Sequence, residues 1–144
     1  MKKRSKSVWI VAILLTLCFI FSRSMKSIAD SGAESGRILE ILAPILEYFV
    51  GKGKVTDLLV RKLAHFCEFG ILGFEFMAYS GKPALWPFFT ALLCALCDET
   101  IQLFYNRGSQ VSDVWLDFLG AFCGIWMCRL LLTLIRRRKR THIQ

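Results

Sequence analysis

The sequence predicts an all-α integral membrane protein of four transmembrane helices, with a short interfacial or re-entrant helix between the first and second. Three observations carry that fold class. The 144 residues are 55% hydrophobic with a mean hydropathy of +0.49, above the ~45–50% apolar content of an ordinary soluble domain. The apolar residues gather into long runs, and since about 20 of them cross a bilayer, the chain makes a single domain over residues 1–144 of roughly four crossings with short connections. The charge gathers at the ends of those runs. A net charge of +8 and a pI near 9.4 would suggest nucleic acid in a soluble protein, but in a membrane chain they first report orientation, and no nucleic-acid partner is expected. The same length leaves no room for a Rossmann, TIM-barrel or P-loop catalytic unit.

The first crossing, residues 8–22, is the uncharged run Val8 to Phe21, led by Lys2, Lys3, Arg4 and Lys6 and closed by Arg23 and Lys26. A cleaved signal peptide shares this layout, but no clear small-x-small cleavage site follows, which favours a retained helix. Either way the next segment lands outside the cytoplasm. Ser, Gly and charge then mark an external loop. Within residues 35–50 an apolar stretch holds Glu40, Pro44 and Glu47 and is too short to span. Glu40 and Glu47 fall near one helical face, as expected of a helix lying in or dipping into the interface.

The second crossing, residues 58–79, carries Arg61, Lys62, His65, Glu68 and Glu75, and Gly81, Lys82 and Pro83 turn the chain. The third, 84–105, is apolar until Asp98, Glu99 and Gln102; a turn through Asn106, Arg107, Gly108 and Ser109 follows. The fourth, 111–135, opens with Asp113 and Asp117 and stops at the basic cluster Arg136 to Arg140, a stop-transfer and headgroup anchor. Trp9, Trp86 and Trp115 each start a crossing, as an aromatic interface belt would. Both termini are basic, so both are predicted cytoplasmic. With that topology eleven basic groups and no acid fall on or near the cytoplasmic side, and the rest of the chain sums to a mildly acidic −3.

The polar residues of three helices then meet at one depth. His65 lies about 10 Å into its helix at 1.5 Å per residue, while Asp98, Glu99 and Gln102 end the third helix and Asp113 and Asp117 begin the fourth. Spacings of three or four stack Arg61 with His65, His65 with Glu68, Asp98 with Gln102 and Asp113 with Asp117. Gly120 and Gly124 continue the last of these faces and allow a neighbouring helix to approach, so it is a packing face. Two readings stand. Arg61, Lys62 and Arg107 neutralise the acids in a network that only fixes helix register; or, since intramembrane charges cost several kcal/mol and usually face an interior or a water-filled cavity, the cluster is a site. Buried ion pairs are a weak source of stability, which favours the site. The six cysteines, Cys94-x-x-Cys97 among them, read as small packing residues without a redox or zinc role. Glu75 is a proton-path residue or a snorkelling one.

The run Lys62-Leu-Ala-His65-Phe66-Cys67-Glu68-Phe69-Gly70-Ile71-Leu72-Gly73 resembles the K-x-x-H-F-x-E-[YF]-x-x-L-G of the VanZ-like membrane protein family. Asp98-Glu99-Thr100-Ile101-Gln102-Leu103-Phe104 resembles its D-E-x-x-Q-x-F, Arg107 matches the arginine of the following turn, and Asp113, Asp117, Gly120 and Gly124 match the opening of its last helix. Asn106 stands where Pro-Gly is common, and Cys97 where a small residue is usual. The resemblance implies a multi-pass protein of a bacterial cell membrane, in a family whose best-known member lowers susceptibility to the lipid-bearing glycopeptide teicoplanin; it implies no settled reaction. Membrane lipids and a lipid-linked envelope molecule or lipophilic glycopeptide are the expected partners.

As chemistry, His65, Glu68, Asp98, Glu99, Asp113 and Asp117 are the candidate catalytic residues, one of them a general base. Lys62, Gln102 and Arg107 are candidate substrate ligands, Arg107 suiting a phosphate or carboxylate. A divalent cation on His65, Asp98 and Asp117 is the expected cofactor of a hydrolase or transferase. The competing expectation is a non-catalytic protein that binds or shields a lipophilic antibiotic or envelope precursor. A proton-coupled transporter using Glu75 and His65 would need an oligomer, because four helices leave little room for alternating access.

Overall fold

The computed structural model describes residues 3–26, 39–41, 43–48, 51, 55–105, 108 and 110–141, with their side chains between residues 6 and 138. Among these residues every regular element is a helix. The long ones are α1 (Lys3–Ser24), α2 (Asp57–Ser80), α3 (Trp86–Phe104) and α4 (Val111–Thr141). Three of them are long and apolar enough to cross a membrane: α1 over Lys6–Ser24, α3 over Trp86–Phe104 and α4 over Val111–Arg138. The expected second crossing, α2, has 24 residues and so about 36 Å of length. Asp57, Arg61, Lys62, Glu68 and Glu75 interrupt its apolar run, which sets it apart from the other three.

Local chemistry fixes the ends of α2. The Thr56 hydroxyl accepts from the Leu59 amide at 3.2 Å, satisfying a first-turn donor. At the other end Gly81 takes φ 65° and donates its amide to the Met77 carbonyl at 3.0 Å, a left-handed stop that suits glycine. α1 and α4 run further into their basic flanks than the apolar runs suggested, to Lys3 and Thr141, because Arg and Lys are good helix formers and charge alone does not break a helix. In the expected interfacial segment, residues 39–41 and 43–48 are helical and leave Ile41, Ile45 and Tyr48 exposed. The remainder of 35–50 lies outside the described residues.

α2 is the centre of the bundle and contacts all three other long helices, most extensively α4. α1 runs antiparallel to it, with Lys6 over the Tyr79 ring at one end and Arg23 on Glu68 at the other. α3 also runs antiparallel, Trp86 packing edge-on against Phe76 and Tyr79. α4 runs parallel to α2, and here glycine is required. A Cβ on Gly120 or Gly124 would strike the carbonyl oxygen of Phe66 or Gly70, and one on Gly73 would strike Ala121. The Gly120–Gly124 face is therefore a helix-packing face.

Ile20, Phe69, Leu72, Phe76, Ala91, Ala95, Val114 and Ala121 form the main buried cluster, drawn from all four helices. Leu14, Leu15, Leu93, Leu96, Trp126 and Leu130 are exposed on the outside, the arrangement of a bundle solvated by lipid. The cysteines differ from the packing role expected of them. All six are free, only Cys128 is buried, and Cys18, Cys67, Cys97 and Cys123 are exposed on outer helix faces. Of the belt tryptophans, Trp86 and Trp115 are exposed while Trp9 turns onto Phe74.

Candidate functional site

The antiparallel and parallel pairings bring the N-terminal ends of α2 and α4 and the C-terminal ends of α1 and α3 to the same end of the bundle. A cavity of about 310 Å³ opens there. α2 contributes Leu58, Arg61, Lys62 and His65; α3 contributes Glu99 and Gln102; Gly108 and Gln110 of the connection and Asp113, Leu116 and Asp117 of α4 complete the lining. The helical period explains the selection, since residues three and four apart share a face.

Asp98 lies directly behind this wall, with 0% of its surface exposed. Its two oxygens are held from two sides: Ser24 Oγ donates to Oδ1 at 2.6 Å, and Gln102 Nε2 donates to Oδ2 at 2.8 Å. His65 Nδ1 stands 3.9 Å from the same Oδ2. Asp117, only 1% exposed, faces the cavity from α4, and its Oδ2 has no hydrogen-bond partner among the described residues. His65, Asp98 and Asp117 each offer an atom lying within 4.8 Å of the others. Three helices thus converge on one point.

The cations at this end are engaged with other acids. Lys62 Nζ reaches Asp113 Oδ1 at 2.5 Å, joining α2 to α4. Arg61 turns back one turn to Asp57 at 2.9 Å, not toward the acids of α3. Arg23 of α1 meets Glu68 at 3.1 Å. None of these three pairs reaches Asp98 or Asp117.

Of the residues singled out in the sequence, His65, Glu99, Gln102, Asp113, Asp117 and Lys62 therefore meet at the cavity, with Asp98 behind them. Glu68 does not join them: three residues after His65, it turns to the α1 side, where it lines a separate recess with Leu15, Thr16, Phe19 and Ile71. Arg107 lies outside the described residues. Sequence reasoning missed Arg23 and Ser24. The signal was there, since both close the first helix at the depth of Asp98, but α1 had no motif to mark it as part of the site. Glu75, nearer the opposite end, accepts from Thr16 Oγ1 at 3.1 Å and is buried within the bundle.

Further along the same helix pair, on the opposite face of α2 from the cavity, lies an apolar groove of about 560 Å³. It is lined by Phe66, Cys67, Gly70, Ile71 and Phe74 of α2 and Gly120, Cys123, Gly124 and Met127 of α4. Phe66 directly follows His65, and Gly120 lies one turn beyond Leu116, so the groove begins at the depth where the cavity lining ends.

A family model described as VanZ/LLP1 matches the chain over residues 9–132, most of its length. No curated protein matches it, and no solved structure does.

Proposed function

This chain belongs to the VanZ/LLP1 family, and on that premise we propose that it is a multi-pass protein of the bacterial cell membrane whose outward-facing polar cavity acts on a lipid-linked or lipophilic cell-envelope molecule. The observation that carries this reading is the charged cavity that α2, α3 and α4 form at one end of the bundle, with an uncharged groove further along the other side of the α2–α4 seam. The polar head of a lipid-linked ligand has matching chemistry in the cavity. Lys62 and Arg61 line the head end, with Arg107 in the turn beside it in sequence. Their charge suits a phosphate or carboxylate, and His65 and the acids supply proton-transfer groups.

α2 is the fourth crossing in this reading. It is flanked by three helices that are apolar enough to span, is longer than two of them, α1 and α3, and its Glu68 and Glu75 are turned into the bundle. Ionisable groups inside a membrane take that position because hydrocarbon penalises them. The basic flanks of α1 and α4 set both termini in the cytoplasm and the cavity outside, and the exposed Ile41, Ile45 and Tyr48 suit the external interface.

By this hypothesis the family's glycopeptide-linked phenotype is the assay. His65→Ala and Asp98→Asn should each abolish any reduction of lipoglycopeptide susceptibility that the wild-type chain confers, while the protein still accumulates in the membrane. Loss of accumulation would instead identify a network that only sets helix register. A non-catalytic shielding role is the second reading, favoured by the groove, which has no charged residue in its lining. It requires that Glu99→Gln and Asp98→Glu be tolerated and that Gly120→Leu, which parts the helices and so disrupts the groove, not be.

A further inference from the structure

We propose that His65, Asp98 and Asp117 hold a divalent transition-metal ion at the inner wall of the polar cavity. The donor set is one imidazole and two carboxylates from three different helices, with one atom of each within 4.8 Å of the others. First-row ions bind such atoms at about 2.0–2.2 Å, so donors around one ion stand roughly 3–4 Å apart and small side-chain rotations close the remaining distance. His65 Nδ1 and Asp98 Oδ2 are already 3.9 Å apart.

Two independent observations point to a cation and not merely to an acidic cluster. Asp117 is a carboxylate 1% exposed that lines the cavity, and its Oδ2 has no hydrogen-bond partner among the described residues. Buried polar atoms are almost always satisfied, and an orphan calls for an ion or water. Asp98, for its part, is oriented as metal-binding carboxylates are: Ser24 and Gln102 each donate to one of its oxygens and fix its plane, leaving lone pairs directed toward His65. The charge balance agrees. Among the described residues, Arg23, Lys62 and Arg61 pair with Glu68, Asp113 and Asp57, acids other than Asp98 and Asp117.

Mixed nitrogen and oxygen donors select Zn²⁺, Mn²⁺ or Fe²⁺ over Mg²⁺ and Ca²⁺, which favour all-oxygen shells. Three protein ligands leave coordination positions open toward the cavity, the pattern of sites that present a water or a substrate oxygen. The proposal deepens the reading of the same site given above. Its test uses no lipid-linked substrate and no antibiotic, so it can fail while that reading stands.

The full-length chain, purified in lipid nanodiscs and stripped with a chelator, should take up one Mn²⁺ per chain in a saturable titration followed by electron paramagnetic resonance, with Zn²⁺ competing. The bound Mn²⁺ should show a histidine nitrogen coupling that His65→Gln removes. Asp117→Asn should weaken binding at least tenfold, and Asp57→Asn, whose partner is Arg61, should leave it unchanged. In the stripped protein Asp117→Asn should melt no lower than the wild type, because the buried Oδ2 it replaces has no hydrogen-bond partner among the described residues to lose. Absence of saturable Mn²⁺ and Zn²⁺ binding by folded wild type would overturn the proposal, as would undiminished binding in both ligand variants or a lower melting temperature of stripped Asp117→Asn.

Discussion

Alanine substitution along the α2–α4 seam should separate three glycines that look alike in sequence. A methyl at Gly124 would lie 2.8 Å from the Gly70 carbonyl carbon and 2.9 Å from the Phe74 amide nitrogen, and closer still to the Gly70 oxygen; ordinary contact begins at 3.4 Å. The obstructing atoms are backbone of a packed helix and cannot rotate aside. Relief requires the helices to part by at least about 0.6 Å, and a radial gap of that size forfeits a quarter or more of each neighbouring dispersion contact. Overpacking of this kind costs about 1–3 kcal/mol, against a helix-propensity gain of at most about 1 kcal/mol for replacing glycine with alanine. Gly73→Ala meets Ala121 Cα at 2.7 Å and should behave the same way. At Gly70 the nearest atom, the Gly120 oxygen, is 3.5 Å away, so Gly70→Ala should be neutral or stabilising by up to ~1 kcal/mol. Reversible unfolding in mixed detergent–SDS micelles, followed by tryptophan fluorescence, reads the difference. Equal stability of Gly70→Ala and Gly124→Ala would refute the close α2–α4 approach on which the cavity depends.

Two further outcomes follow from the same geometry. Arg23→Leu leaves the Glu68 carboxylate, 9% exposed, without this cation and should destabilise by about 3 kcal/mol, whereas adding Glu68→Leu should recover most of the loss; an additive double-mutant cycle in the same unfolding assay would show that the pair is not coupled. On a cysteine-free background, Ser112→Cys at the cavity end should react with a membrane-impermeant maleimide in intact cells and Lys82→Cys only after permeabilisation, and the reverse pattern would turn the protein over in the membrane.

The sequence makes α1, α3 and α4 legible through their apolar runs and the cavity's wall through spacing: Asp98 and Gln102 stand four apart and hydrogen bond, and Asp113 and Asp117 line one cavity. What it does not show is partner choice across helices. Arg61 has acids within reach in both chain directions, and Asp57, one turn back, holds it. His65 and Glu68 stand three apart, which at 100° per residue leaves them 60° off one another on the helix circumference. That angle is enough for α3 and α4 to take the histidine while Arg23 of α1 takes the glutamate. Ser24 illustrates the same limit, because a lone serine at the end of an apolar run carries no periodic signal, and only the packing of α1 aims it at Asp98.

Helix electrostatics separate the acids of this end into two groups. Asp57 and Asp113 occupy the first turns of α2 and α4, where the positive end of the helix dipole favours an anion, and each also has a cation, Arg61 and Lys62. Their presence is accounted for by stability alone. Asp98 has neither advantage. It sits toward the C-terminal end of α3, where the dipole does not favour negative charge, and it is fully buried. Asp117 lies past the first turn of α4 and is equally buried. A bundle optimised only for stability would place apolar residues at both positions, since well-packed apolar groups match or exceed buried ionic ones. The unexplained cost therefore falls on the two carboxylates that face His65, which is where a bound cation would convert an electrostatic liability into a ligand set.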